Sequence, residues 1–236
     1  MLCRGDLPEM RWPACCRGDI ILPMLVDYFP LVGLRLTTPR LELRVPSPEE
    51  LADLAEVAAK GIHEPDQMPF SVPWTDAPPA TVARSVIQHY LLKLGTWTPQ
   101  HWHLNLVVFH QGRPVGQQSL GARDFTITRE VATGSWLGRS YQGQGIGTEM
   151  RAAVLHLAFA ELSAQQAVSG AVEDNLASLA VSRKLGYQPD GIEREAVAGE
   201  PVTVIRLRLT RAEWEAHQTV PVTIDGLEPC REMFGQ

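Results

Sequence analysis

The chain has 236 residues, 44% apolar and 20% charged, which is enough to bury the core of one domain or two small ones and excludes global disorder. A formal net charge of −6 without a long basic run argues against nucleic acid as the main partner and mildly favours cationic substrates. No apolar stretch approaches the ~20 residues of a membrane span, so no membrane partner is expected.

Residues 1–23 hold Cys3, Cys15 and Cys16 and two copies of "CRGD", with no periodicity. They read as a disordered or mis-assigned N-terminal extension, with Met24 as the alternative start and a single domain over 24–236. With Cys230 the cysteines show neither zinc-ligand spacing nor a disulfide framework, so a reducing cytoplasm and no metal are expected. Thr38 to Arg44 alternates Leu41 and Leu43 with polar residues and reads as a strand. Ser47 and Glu50 form a capping box with Pro48 at the first helical position. The stripe Leu51, Leu54, Val57 and Ala58 follows, and Gly61 ends the helix. The aromatic and proline-rich stretch from Asp66 to Ala80 reads either as a substrate-shaping loop or as a linker. A second helix is expected from Thr81 to Leu94, with Val82, Val86, Tyr90, Leu91 and Leu94 inward.

The period then changes. Trp102, Leu104, Leu106 and Val108 alternate into a hairpin that turns at "HQGR". Glu130 to Gly138 reads as a strand, followed by three glycines at alternate positions, Gly143, Gly145 and Gly147, and a helix with Ile146, Met150, Ala153, Val154, Leu157 and Ala158 on one face. Strand "QAVSGAVE", helix "NLASLAVSRKLG", strands near "YQPDGIER" and "VTVIRLRL" and the capped helix "TRAEWEAH" complete a core in which strands mix with helices. From about residue 218 the tail shows no pattern.

Glycine-rich backbone at a helix start suits phosphate, because the first N–H groups lack partners, carry partial positive charge and can be approached closely. A flexible turn before a core helix is the alternative. A P-loop would need Lys-Ser/Thr after the last glycine, where Thr148 and Glu149 stand. A dinucleotide fingerprint starting at Gly143 would need glycine at Thr148 and an earlier place in the chain.

"QGQGIG" (Gln142 to Gly147) resembles instead the [Q/R]-x-x-G-x-[G/A] acyl-CoA motif of the GNAT acyltransferase superfamily. "GSWLG" resembles the fourth strand of its RimJ/RimL-type branch. "DNLASLAVSRKLGY" matches the branch's N-x-x-S-x-x-V-x-x-x-L-G-[F/Y] segment, and "LTTPRLELR" its opening strand. The similarity runs from about Leu36 to His217. It implies an α/β (α+β) fold, a mixed, mostly antiparallel sheet of about six to seven strands flanked by helices and splayed at the fourth strand.

The resemblance further implies an N-acyltransferase using acetyl-CoA, with succinyl-CoA or another acyl-CoA as the alternative donor, and an amine acceptor. The CoA pyrophosphate would rest on the N–H groups of Gln144, Gly145, Ile146, Gly147 and Thr148, shaped by Gln142 and Gly143. Trp136, Leu137 and Gly138 would pair with pantetheine, and Asn175 would bond one of its amides unless it only caps its helix. Asn175 and Ser178 lie one helical turn apart and share a face. Many relatives carry a tyrosine where this chain has Ser182, which leaves Ser178 as the expected acid or thiolate stabiliser, or else a serine packed against its own helix. Positions used for a base elsewhere in the family hold Gly170 and Val131. The neighbouring Glu130 alternates to the wrong face if the strand register holds. Glu173, Asp174, Glu195, His101 and His103 remain, and a dedicated base need not exist. Phe70 and Trp74 are expected on the acceptor side. A homodimer follows by analogy only, and a non-catalytic acyl-CoA-binding module is the competing reading.

Overall fold

The computed structural model of the chain describes residues 24–64 and 67–236. The extension expected over 1–23 lies outside the described residues. A single helical turn, α1 (Leu25–Tyr28), leads to two strands where one was expected, β1 (Arg35–Thr37) and β2 (Leu41–Arg44). They pair antiparallel around a turn in which the Thr38 N–H donates to the Leu41 carbonyl at 2.9 Å and the Leu41 N–H to Thr38 Oγ1 at 3.1 Å. Pro39 has no N–H with which to continue a ladder through this turn.

The Ser47–Glu50 box starts α2 (Pro48–Ala59): Ser47 Oγ accepts from the Glu50 N–H at 3.2 Å, and the Glu50 carboxylate from the Ser47 N–H at 2.8 Å. Leu51, Leu54, Ala55 and Ala58 are its buried stripe, and Val57 is half-buried. In α3 (Pro79–Gly95), Val82, Val86 and Tyr90 are inward as expected, whereas Leu91 is 56% exposed, one position off the buried face.

The hairpin is β3 (His101–His110) and β4 (Arg113–Arg123). Its turn residues Gln111 and Gly112 both have positive φ, 51° and 74°, the twist that suits a two-residue hairpin loop. A helical turn, α4 (Phe125–Thr128), precedes β5 (Glu130–Leu137). Then come α5 (Ile146–His156), extended by a wider turn over Leu157–Glu161, β6 (Gln166–Val172), α6 (Leu176–Lys184), β7 (Gln188–Val197), β8 (Glu200–Thr210) and α7 (Arg211–Ala216). The tail, patternless in sequence, adds β9 (Thr223–Asp225) against β1 and a 3-10 turn over Glu228–Phe234.

The sheet among the described residues therefore has nine strands in the order β7-β8-β6-β5-β4-β3-β2-β1-β9, more than the six to seven expected. The surplus comes from the split opening strand and the tail. Every neighbouring pair is antiparallel except β5–β6. Both faces are covered. Trp102, Leu104, Leu106 and Val108 join the core with α5, while Val107 and Phe109 of the same strand pack with Leu51, Leu54 and Val86 of α2 and α3. Leu227, Cys230 and Phe234 bury the tail, and Trp97 Nε1 donates to the Met233 carbonyl at 2.8 Å.

Candidate functional site

The β5–β6 ladder lasts only from Glu130↔Gln166 to Ala132↔Val168. Beyond it the strands part, because β5 stays with β4 as far as Leu137 and β6 follows β8 as far as Val172. Small residues line the parting: Thr133, Gly134 and Ser135 on one side, Ser169, Gly170 and Ala171 on the other. A side-chain bond spans it near the vertex, from Ser169 Oγ to the Thr133 carbonyl at 3.2 Å. A cleft of about 1570 Å³ runs through the gap. Past Ala132, β5 has no strand partner on this side among the described residues, so an extended ligand can take its backbone groups as an added strand would.

The glycine loop stands at the cleft's open end. Gly143 and Gly145 have φ of 73° and 79°, a region that a Cβ makes costly. Gly145 is the cap of α5, and the first helical bond is Glu149 N–H to the Gly145 carbonyl at 3.1 Å. The N–H groups of Ile146, Gly147 and Thr148 thus have no acceptor within the helix, and no side chain among the described residues caps them. Such free donors, on glycine backbone that a ligand can approach closely, fit a pyrophosphate. The Ile146 side chain itself is buried in the core, so this residue offers only its N–H.

The loop is held in shape. Gln142 Nε2 donates to the Ile62 carbonyl at 2.5 Å and the Leu137 carbonyl at 2.9 Å, and Gln144 Nε2 to the Ser140 carbonyl at 2.8 Å. Arg40 Nη1 donates to the Gln144 carbonyl at 3.0 Å, and its guanidinium pairs with the buried Glu149 at 2.6 Å. Glu149 also accepts from Thr38 Oγ1 at 2.7 Å and the Arg40 N–H at 3.0 Å. Thr38, Arg40 and Glu149 were missed as site residues. Their one local signal is an acid in the first turn of α5, which reads equally as a surface charge on the helix dipole.

On α6, Asn175 and Ser178 both line the cleft. Asn175 Oδ1 accepts from the Ser178 N–H at 3.0 Å, so its oxygen caps the helix, while its amide nitrogen has no protein acceptor among the described residues. The Ser178 hydroxyl has no partner there either. Ser182, one turn on, is buried, donates to the Ser178 carbonyl at 3.0 Å and accepts from Arg151 Nη1 at 2.9 Å.

The sequence profile of the Acetyltransferase (GNAT) domain matches residues 40–188. The chain belongs to the GNAT acetyltransferase family. "Probable N-acetyltransferase YjcK" of Bacillus subtilis (strain 168) is 27% identical over 123 residues, which are 52% of this chain and 62% of YjcK, less than two thirds of that relative's length. Among solved structures, RimL, a ribosomal L7/L12 alpha-N-protein acetyltransferase in complex with coenzyme A, superposes with a TM-score of 0.57 at 22% identity, covering 73% of this chain and 95% of RimL. Mycobacterium smegmatis RimJ in complex with CoA-disulfide gives a TM-score of 0.59 at 18% identity, covering 80% and 96%. These structural likenesses establish the fold.

In this GNAT domain the opposite wall of the cleft comes from the loop between α2 and α3. Phe70 lines the cleft, whereas Trp74 lies behind it. The rings form a chain, His63 to Phe70 at 5.9 Å, Phe70 to Trp74 at 5.3 Å and Trp74 to Trp136 at 5.9 Å, so the loop is anchored on β5. Glu193 and Glu195 of β7 also line the cleft. Glu130 is held by Arg208 at 3.2 Å and Gln166 at 2.7 Å. Glu173, Asp174, His101 and His103 do not line the cleft.

Proposed function

We propose that the chain is an acyl-CoA-dependent N-acyltransferase that moves an acetyl group from acetyl-CoA to a primary amine, on a protein N-terminus or a small molecule, by direct attack in a ternary complex. The observation that carries this reading is the juxtaposition of free N–H groups at the start of α5 with an unpaired β5 edge along the same cleft. Phosphates need the first, and a pantetheine arm, with its two amides, needs the second. The RimL likeness supports a peptide α-amine as acceptor.

In this reading Gln144 to Thr148 hold the pyrophosphate, with Gln142 and Gly143 setting the loop. Trp136, Leu137 and Gly138 pair with pantetheine, and Asn175 donates its free amide nitrogen to one of the arm's carbonyls. The amine enters past Phe70, whose outer position Trp74 fixes from behind. Backbone donors stabilise the developing oxyanion, and Glu193 or Glu195, directly or through water, takes the proton of the ammonium. Ser178 offers its hydroxyl to the sulfur. Cysteine usage favours a cytoplasmic setting, and a homodimer rests on family analogy.

The test is thiol release from acetyl-CoA, with succinyl-CoA in parallel, against a panel of peptides with free N-termini and of small amines. Turnover with at least one acceptor is expected, and Ser178→Ala should lower kcat more than it raises KM. Binding without turnover across the panel would favour the non-catalytic module, which the glycine at 170 and the buried Ser182 would allow.

A further inference from the structure

Arg151 is a buried cation with no counter-ion among the described residues. Its side chain lines the cleft, yet the residue is only 4% exposed. Nη1 donates to Ser182 Oγ at 2.9 Å and Nη2 to Ser135 Oγ at 3.2 Å, both neutral hydroxyls. Nε is buried with no partner among the described residues, and no carboxylate there pairs with the group. The other buried charge, Glu149, is matched by Arg40. Burial pushes the Arg151 pKa down, but arginine starts so high that the group stays charged at neutral pH. A desolvated, unmatched guanidinium is an unfavourable arrangement until an anion arrives.

Its position says which anion. Ser135 is the next residue into the cleft from Trp136, Leu137 and Gly138 along β5. Ser182 is one turn beyond Ser178 along α6. The two walls that lead inward from the glycine loop therefore meet at this guanidinium. A thioester whose phosphates rest on the loop and whose arm follows β5 brings its far end to the same place. There the amine nitrogen attacks the carbonyl carbon, the C–N bond forms, the C–S bond breaks and the electron pair leaves on sulfur. The serine hydroxyls nearby can donate hydrogen bonds to that sulfur but are too weakly acidic to give up a proton at neutral pH.

We propose that Arg151 is the electrostatic counter-ion of the departing CoA thiolate, stabilising it through its fixed charge and through Ser135, with the sulfur taking its proton from solvent after release. The inference rests on the acyl-CoA reading above. The other charges around the group do not compete for it. Glu149 is tied to Arg40, and Glu193 and Glu195 stand on the β7 wall. Lys184, on α6, adds positive charge. The Tyr187 hydroxyl bonds Thr133 Oγ1 at 3.0 Å and burial raises its pKa, so it is neutral.

The experiment is a titration of the thiol of CoA bound to the protein, followed by thiolate ultraviolet absorbance. In the wild type this thiol should titrate roughly one to two units below that of free CoA. Arg151→Lys should keep most of the depression. Arg151→Gln should return the value to that of free CoA, while its melting temperature and its affinity for CoA at a pH where the thiol is protonated stay close to wild type; above the wild-type thiol pKa its affinity should fall below wild type by the same factor as the lost depression. If Arg151→Gln does not fold, the double variant Ser135→Ala/Ser182→Ala, which frees the guanidinium from its anchors, should move the value part of the way back. An undepressed thiol in the wild type, or a depression that survives in Arg151→Gln or is untouched in the double variant, would overturn the proposal. Absence of CoA binding to the wild type would instead defeat the functional reading, and this inference with it.

Discussion

Replacing the two glycines at the start of α5 one at a time separates backbone conformation from ligand approach. Gly145 sits at φ 79° and ψ −5°, where a Cβ costs about 1–2 kcal/mol. The added methyl would lie 3.3 Å from Arg40 Nη2, the tip of a side chain 44% exposed, which can move aside, so the cost is mainly backbone strain. A domain with about 5–15 kcal/mol of stability remains folded, and Gly145→Ala should melt roughly 2–8 °C lower. Relief of the strain turns φ negative and swings the N–H groups of Ile146, Gly147 and Thr148 away from a common focus. CoA affinity should fall at least about tenfold, or 1.4 kcal/mol. Gly147 has no positive φ, and a Cβ there meets Val181 Cγ2 at 3.6 Å and Leu137 Cδ1 at 3.8 Å, ordinary contacts. Gly147→Ala should melt at or slightly above wild type, since alanine is favoured over glycine in a helix by about 0.5–1 kcal/mol. Its CoA affinity should still fall, because the methyl would stand between Leu137 and Val181 in the cleft wall and narrow the approach to the α5 N–H groups. Isothermal titration with CoA beside thermal melts reads both quantities. Wild-type affinity in both variants would refute the assignment of the loop to phosphate.

Other perturbations follow from the same contacts. Glu149→Ala removes the acceptor of Thr38, Arg40 and the β1–β2 turn, and should cost about 1–3 kcal/mol in denaturant melts and weaken CoA binding severalfold. Truncation after Gln218 removes the buried Leu227 and Phe234, worth roughly 3–6 kcal/mol together, and should lower the melting temperature by about 6 °C or more; an unchanged melt would mean the tail contributes no stability. His103 is pushed down to about 4, first by burial and then by Lys93, His101 and His89. A depressed folded pKa means full stability above the unfolded value of about 6.5 and loss as pH falls towards 4. Melts from pH 7 to 4 should show that decline in the wild type and a flatter one in His103→Gln; identical slopes would remove His103 as a cause.

Local chemistry was readable in the chain wherever it closes over a few residues. The Ser47–Glu50 box, the turn at Gln111 and Gly112, and the glycine loop all depend on neighbours in sequence. The split of β1 from β2 was hidden because Leu41 and Leu43 alternate like any strand, while the partner strand ends just before the turn. The tail was hidden for a related reason: three residues of β9 carry no period, and Phe234 is buried against Trp97 and Trp102, which come from far away in the chain. The parting of β5 from β6 is a matter of ladder partners, so family likeness rather than pattern suggested it. Arg151 and Glu149 were opaque. Each sits in the helix "IGTEMRAAVLH" where a charge normally faces water, and only the packing of α5 against α6 and the β1–β2 turn buries them.

In the proposed complex the cleft between β5 and β6 binds an acyl-CoA with its phosphates on the glycine loop. The most direct test is a thermal melt of the wild-type protein with acetyl-CoA at about a hundred times its Kd, beside succinyl-CoA and free CoA. Binding at that level adds about 2.7 kcal/mol, so a rise of roughly 5–10 °C, shared by all three because all carry the same phosphates and arm, is expected. No rise with any of them would mean that the cleft does not bind an acyl-CoA.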